Sequence, residues 1–488
     1  MDFATKTEKF VEWLANQDVE ISNKVEVQDL RSIGQGRALI ATEDISLDED
    51  LFKLPKSIFL NATNNSLIAD RPDLSDKVLG LSQWEALIFV LVYEWQVKGA
   101  ESKWKPYFDV LPINDTENYN FDQLIFWSEE EVALLKPSFI TKRIGKSSAE
   151  ALLQKVREII QSFGITELED VSQQTLHKAA ALIMSYSFDV QREEPSDTHQ
   201  EEEESDDVDV NGSAYIKSML PLADTLNADT KGHNASLMNQ EQNLIMRSIK
   251  DIKKGEQVFN TYSDHPNSEI LRRYGYVEPE GSLADFAEIS LEQIKNYFSE
   301  NTSLSASNVD DIISILLEVQ EEEDEEFVID SYDCYVSGEA IFELIFVVQL
   351  LTVLAGINNE QTFNDRELES KGRAIRRVFK KCYQLLESGK LTEDLRTNII
   401  KIIKARMSDY KSIENEDLVA QAVLTRPAMA KVVLRSEYEA LRKCADGDKL
   451  FSTEERDYSF IPDQKLLKNI LKKDLFLDDS AKKQKTDQ

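Results

Sequence analysis

The stretch 220–277 constrains this chain more than any other, because its two ends carry short polar motifs that fit neither a core nor a solvent-facing surface. The first is Leu220-Pro221-Leu222-Ala223-Asp224-Thr225-Leu226-Asn227-Ala228-Asp229. The second runs Gly255-Glu256-Gln257-Val258-Phe259-Asn260-Thr261-Tyr262, passes through Asn267 and ends at Tyr274-Gly275-Tyr276-Val277. What lies on either side differs in period. Upstream, Val25-Glu26-Val27, residues 37–41 and residues 50–55 are short β-branched or apolar runs broken by Gly34, Gly36 and acidic turns, a spacing that predicts small strands. Between the halves, apolar residues recur every three or four positions over 84–94 and 150–163, which predicts a helical insert over 84–184. Beyond residue 280 the strand-like pattern stops. Residues 312–317, 340–354, 366–386, 392–407 and 428–442 carry helical periodicity, which predicts an all-helical C-terminal domain. The fold class expected is α+β: a β-rich core in two parts (1–83 and 185–283) divided by the insert, an all-α domain over 284–460, and a tail over 461–488.

Charge narrows the partners. With 56 basic and 90 acidic residues the chain carries a formal −34, which argues against direct binding to a phosphate backbone. It suits a basic partner, or serves solubility alone. The three cysteines, at 334, 382 and 444, form no Cys-x-x-Cys pair, so a reducing compartment is expected. His177, His199, His233 and His265 do not group, so no metal is expected. The first thirty residues lack a signal-peptide apolar run, and the apolar stretch 340–356, broken by Glu343 and Gln349, reads as a buried helix and not a membrane span. Residues 193–212, dominated by acids, predict a disordered loop, with an acidic lure for a basic substrate as the functional alternative. The basic cluster Lys371, Arg373, Arg376, Arg377, Lys380 and Lys381 reads as a solvated helix face.

Ser32-Ile33-Gly34-Gln35-Gly36-Arg37-Ala38-Leu39 lacks the third glycine of a dinucleotide fingerprint, since Leu39 stands there. It predicts a tight turn between strands.

Taken together, the glycine turn, the insert with Trp104-Lys105-Pro106-Tyr107-Phe108 and Leu111-Pro112, the Asp224-to-Ala228 box and the Tyr262 and Tyr274 segments resemble the SET-domain protein-lysine methyltransferases. The resemblance is to the subgroup typified by the Rubisco large-subunit lysine methyltransferase, nearest its fungal ribosomal-protein branch. It implies S-adenosylmethionine as co-substrate and no metal. It further implies cofactor contacts from Gly36, Arg37, Ala38, Asn227 and Ala228, with Ala228 at a histidine position and able to contribute only its main chain. Tyr186, which falls where an arginine usually approaches the cofactor's carboxylate, is placed among the cofactor contacts too. Tyr262 and Tyr274 match the channel tyrosines and are the catalytic pair the resemblance implies, Tyr262 being the one usually assigned the catalytic role and also touching cofactor, Tyr274 also standing against substrate. Asp224 matches a position near the substrate lysine; from sequence it reads equally as a helix cap. Loose matches over 404–417 and 435–439 resemble the subgroup's substrate-binding domain, and the family's core is threaded by its own C-terminal strand.

Such chemistry suits phenols. An in-line methyl transfer needs a neutral amine, alignment and exclusion of water, and aromatic hydroxyls exclude water, attract cations and orient lone pairs. The implied partner is a basic protein, in particular one of the large ribosomal subunit, with no direct nucleic acid and no membrane. A monomer in nucleus or cytoplasm is expected. A non-catalytic acidic binding module or chaperone, and a SET enzyme acting on histidine or a histone tail, are the alternatives.

Overall fold

A computed structural model describes residues 2–114, 121–192, 210–361, 363–410, 413, 423–453 and 457–472. The chain divides into two compact units, the first made of 1–134, 140–280 and 419–429, the second of 135–139, 281–418 and 430–488.

Among the described residues the first unit holds three small sheets, antiparallel throughout. Arg37–Ala41 is central in one of them, between Val25–Asp29 and the two-residue strand Gln257–Val258. Its residues from Ala38 to Ala41 are all buried, which is why it reads as a continuous apolar run with no alternation. A four-stranded sheet follows the order Glu20–Ile21, Asp50–Pro55, Asn243–Ser248, Ala235–Gln240, and a three-stranded one the order Leu60–Asn61, Tyr215–Met219, Ser187–Gln191. The insert supplies the helices. Gln83–Val92 starts at a reciprocal cap between Ser82 and Glu85, and every residue from Ala86 to Val92 is buried. A helix apolar all round must sit inside. It does so by packing against Gln173–Tyr186 and Lys146–Phe163, the latter turning Leu153, Val156 and Ile160 inward. Trp104, Tyr107 and Phe108 are core residues of this unit, the Trp104 indole donating to the Ile58 carbonyl at 2.7 Å.

The second unit is helical, as its periodicity requires, around Leu291–Asn301, Ala306–Glu323, Phe342–Gln361, Leu368–Glu387 and Glu393–Met407. Two ladders that the sequence pattern did not single out join them: Phe286–Ser290 with Ser331–Tyr335, and Lys390–Thr392 with Ser459–Ile461. Phe342–Glu360 is long and apolar enough to cross a membrane, yet most of it is buried within this unit, Leu344, Val347, Leu351 and Leu354 completely so.

Three local expectations need correction. Of the acidic loop expected over 193–212, residues 193–209 lie outside the described residues, but Val210 is buried and its N–H donates to the Leu81 carbonyl at 3.0 Å. Part of the expected tail is a helix, Asp463–Ile470, which buries Leu466, Leu467 and Ile470. The basic cluster is not uniformly solvated, because Lys371 is only 6% exposed. Its ammonium pairs with Asp311 at 2.8 Å and donates to Asn308, the partners a buried charge requires.

Candidate active site

The glycine turn comes first. The Leu30 N–H donates to the Gly36 carbonyl at 2.7 Å and the Gln35 N–H to the Leu30 carbonyl at 3.1 Å, with Gly34 and Gly36 at φ 78° and 62°. A Cβ added at Gly36 would meet nothing within 4 Å, so the main chain borders open space there. The next two side chains do not reach it. Ala38 is completely buried, and the Arg37 guanidinium lies over the Phe3 ring at 3.8 Å while donating to the Thr7 hydroxyl and the Val110 carbonyl, both at 2.9 Å. Arg37 and Ala38 can therefore serve a ligand through their main chain alone.

The polar box meets this turn through two side-chain amides. Asn227 Nδ2 donates to Gln257 Oε1, and Gln257 Nε2 to Gln35 Oε1, each at 2.7 Å. Main-chain pairing locks the crossing: Asn260 N–H donates to the Asn227 carbonyl at 3.0 Å, Asp229 N–H to the Asn260 carbonyl at 3.2 Å, and Ala228 and Asn260 form a parallel bridge. Two motifs some thirty residues apart in sequence are thus laid side by side, next to a glycine turn near the chain's beginning.

Three tyrosines close the site. The Tyr262 hydroxyl donates to the Leu226 carbonyl at 2.8 Å. Its ring centroid stands 4.8 Å from that of Tyr274 and 6.4 Å from that of Tyr276, and the last two are 6.3 Å apart. Tyr274 ends the helix Asn267–Tyr274, which stops at Gly275 with φ 74°. A Cβ on Gly275 would lie 2.8 Å from the Gln123 nitrogen and 2.9 Å from the Asp122 carbonyl carbon, so only glycine lets the insert pack here. Asn267 fixes the other end, its side chain exchanging bonds of 3.0 and 2.7 Å with the main chain of Glu278. Burial pushes the Tyr274 and Tyr276 phenols up from their ordinary values, so both stay protonated. Neither hydroxyl has a hydrogen-bond partner among the described residues. Tyr276, which sequence reasoning did not place in the site, had a signal: it stands two positions after Tyr274, across a glycine. His265, 6.1 Å from the Tyr274 ring, had none.

Asp224 is not a helix cap. The short turn Ala223–Thr225 is entered through Leu222 at φ 76°, and the Asp224 carboxylate is buried and accepts the Tyr107 hydroxyl at 2.5 Å. Burial pushes its pKa up to about 7 despite that donor. Tyr186 is half-buried against the same core, near the Tyr107 phenol. The site thus brings together Gly36, Asn227 and Ala228 in one cluster, and Tyr262 and Tyr274 in another. Asp224 adjoins the second through Leu226. Among the described residues no group of three or more side chains is arranged to hold a metal ion.

A β-rich core in which the strand before Tyr262 pairs with Arg37–Ala41, split by a helical insert and lined by grouped phenols, is the arrangement of a SET domain, and the model of that family matches residues 36–263. Ribosomal lysine N-methyltransferase 4 of Saccharomyces cerevisiae is 40% identical over 491 residues, covering 97% of either chain. N-lysine methyltransferase setd6 of Salmo salar is 29% identical over 295 residues, 59% of this chain and 61% of its own. Among solved structures, the SET domain of LSMT bound to lysine and AdoHcy and Rubisco LSMT bound to AdoMet superpose with TM-scores of 0.60 and 0.59, each 17% identical and covering 99% of both chains. The chain belongs to the SET-domain protein-lysine N-methyltransferases.

Proposed function

We propose that this enzyme transfers a methyl group from S-adenosylmethionine to a lysine of a large-subunit ribosomal protein, acting in the nucleus or cytoplasm. The match along nearly the whole length of the yeast ribosomal enzyme carries the choice of acceptor. The net charge of −34 supports it, since a field of that sign raises the encounter rate with a basic protein.

The residues fit a methyl donor. Open space beside the Gly36 main chain, bordered through Gln35 and Gln257 by the Asn227 amide, offers donors and acceptors without a Cβ in the way. When bound, the sulfonium supplies the electrophilic methyl. The chain supplies position and exclusion of water. The Tyr262 hydroxyl donates its hydrogen bond to the Leu226 carbonyl, so its oxygen presents its lone pairs elsewhere. The rings of Tyr262, Tyr274 and Tyr276 attract a lysine side chain and exclude water from it. A free lysine titrates near about 10.4, and loss of hydration favours the neutral amine that can attack.

Two measurements test this. Mass spectrometry of large-subunit ribosomal proteins from cells lacking the chain should show one lysine losing its methylation. The purified enzyme with labelled S-adenosylmethionine should restore that mark, and Tyr262→Phe should not. Unchanged ribosomal proteins, with label instead entering a histone or a histidine, would overturn the acceptor.

A further inference from the structure

The bond between Tyr107 and Asp224 has no place in the transfer just described, yet it joins two buried side chains on distant elements. Tyr107 lies on the insert helix Lys105–Val110, and Asp224 sits 117 positions later in the turn Ala223–Thr225. That turn is wound tightly. Asp224 N–H reaches the Leu220 carbonyl at 3.3 Å, Thr225 N–H the Leu222 carbonyl at 3.0 Å and Leu226 N–H the Ala223 carbonyl at 3.4 Å. Leu222, buried at φ 76° and ψ −43°, holds a conformation that a branched side chain keeps only under outside constraint. The carbonyl that leaves this turn is that of Leu226, the acceptor of the Tyr262 hydroxyl.

We propose that Tyr107 and Asp224 form a positioning pair: by anchoring the 222–226 turn to the insert, they set the Leu226 carbonyl and, through it, the direction of the Tyr262 hydroxyl. The inference rests on Tyr262 acting in transfer. The pair works best with Asp224 ionised, because a charged acceptor strengthens the Tyr107 bond. The phenol in turn holds the carboxylate below where burial alone would put it, leaving it at about 7. Around the pair stand Tyr186, near the Tyr107 phenol, and Arg37, on the strand packed against the turn, whose guanidinium is bonded to Phe3, Thr7 and Val110.

The test measures kcat against pH for the full chain, with labelled S-adenosylmethionine and total protein of purified large ribosomal subunits. Tyr107→Phe, which keeps the ring, is expected to lower kcat about tenfold or more with the KM for S-adenosylmethionine unchanged. It should also move the acid limb of the profile up by about one pH unit, because the carboxylate has lost its donor. In an Asp224→Asn background, Tyr107→Phe should leave the limb where it is. A profile that falls uniformly, without displacement of the limb, makes the bond merely structural and overturns the proposal, as does an unchanged kcat. If Tyr262→Phe proceeds at the parent rate, or the parent transfers no methyl, the reading of the site fails and this inference with it. A strong Tyr262→Phe defect beside a silent Tyr107→Phe removes the inference alone.

Discussion

The rings of Tyr262 and Tyr274 stand 4.8 Å apart, tilted by 42°, but among the described residues only the Tyr262 hydroxyl of the two has a partner, the Leu226 carbonyl. The asymmetry separates their roles. Tyr262→Phe removes an oriented oxygen and should lower kcat about a hundredfold or more, whereas Tyr274→Phe removes an untied hydroxyl from a wall whose ring remains, and should act mainly on the KM for the protein acceptor. Steady-state kinetics of both variants checks this; equal effects on kcat would remove the distinction.

Two glycines of the site offer a contrast in mechanism. Both have positive φ, but a Cβ at Gly36 enters open space while one at Gly275 collides with the main chain of Asp122 and Gln123. Gly36→Ala should therefore cost only about 1 kcal/mol of left-handed strain, and raise the KM for S-adenosylmethionine about tenfold if the donor lies against that turn. Gly275→Ala should cost more, about 1–3 kcal/mol, and depress kcat by shifting Tyr274 and Tyr276. Thermal melts alongside KM for the donor distinguish the two; a Gly36→Ala enzyme with unaltered donor KM places the donor elsewhere.

What could be read from the sequence was whatever local order encodes. Tyr262 and Tyr274 were legible because each is attached to a recognisable neighbourhood, Gly255-Glu256 and Tyr-Gly-aromatic-Val, and the helices because their period repeats. Bonds between distant side chains left no such trace. Gln35 and Gln257 are 222 positions apart and Tyr107 and Asp224 117, and no periodicity links an amide or a phenol to a partner at that range. Lys371 was misjudged for the same reason, since the Asn308 and Asp311 that bury it belong to another helix. Asp224 invited the cap reading because a short acid before an apolar run is a local signal, and the local signal lost to a tertiary one.

In the second unit, the Glu437 carboxylate is 7% exposed and accepts the Ser138 hydroxyl at 2.5 Å and the Tyr410 hydroxyl at 2.7 Å. Burial still outweighs these donors and nearby Arg406, pushing its pKa from the ordinary 4.5 up to about 7. Between those two values the folded state holds a proton that the unfolded chain has released, so stability falls as pH rises through that window and is steady above it. Glu437→Gln cannot ionise. Its melting temperature relative to the parent should therefore improve steadily from about pH 4.5 to about pH 7. Melts across that range check the sign, and a relative stability that stays flat with pH would mean the carboxylate is ionised throughout.

Arg426 braces the wall behind Gly275. Although it lies about three hundred residues further along, it belongs to the first unit, where it pairs with Asp122 at 2.8 Å and Glu131 at 2.9 Å and donates to the Phe121 and Phe126 carbonyls at 3.0 and 3.3 Å. One planar guanidinium spans four acceptors on the segment 121–131, and a lysine ammonium cannot. With its side chain 24% exposed, screening limits the loss in Arg426→Lys to about 1–2 kcal/mol. Loosening Asp122 and Gln123 releases the main chain that presses on Gly275, so kcat should fall severalfold while donor KM holds. Urea unfolding and kinetics of this one variant decide it: stability lost without any change in kcat would confine the brace to folding and separate it from the tyrosines.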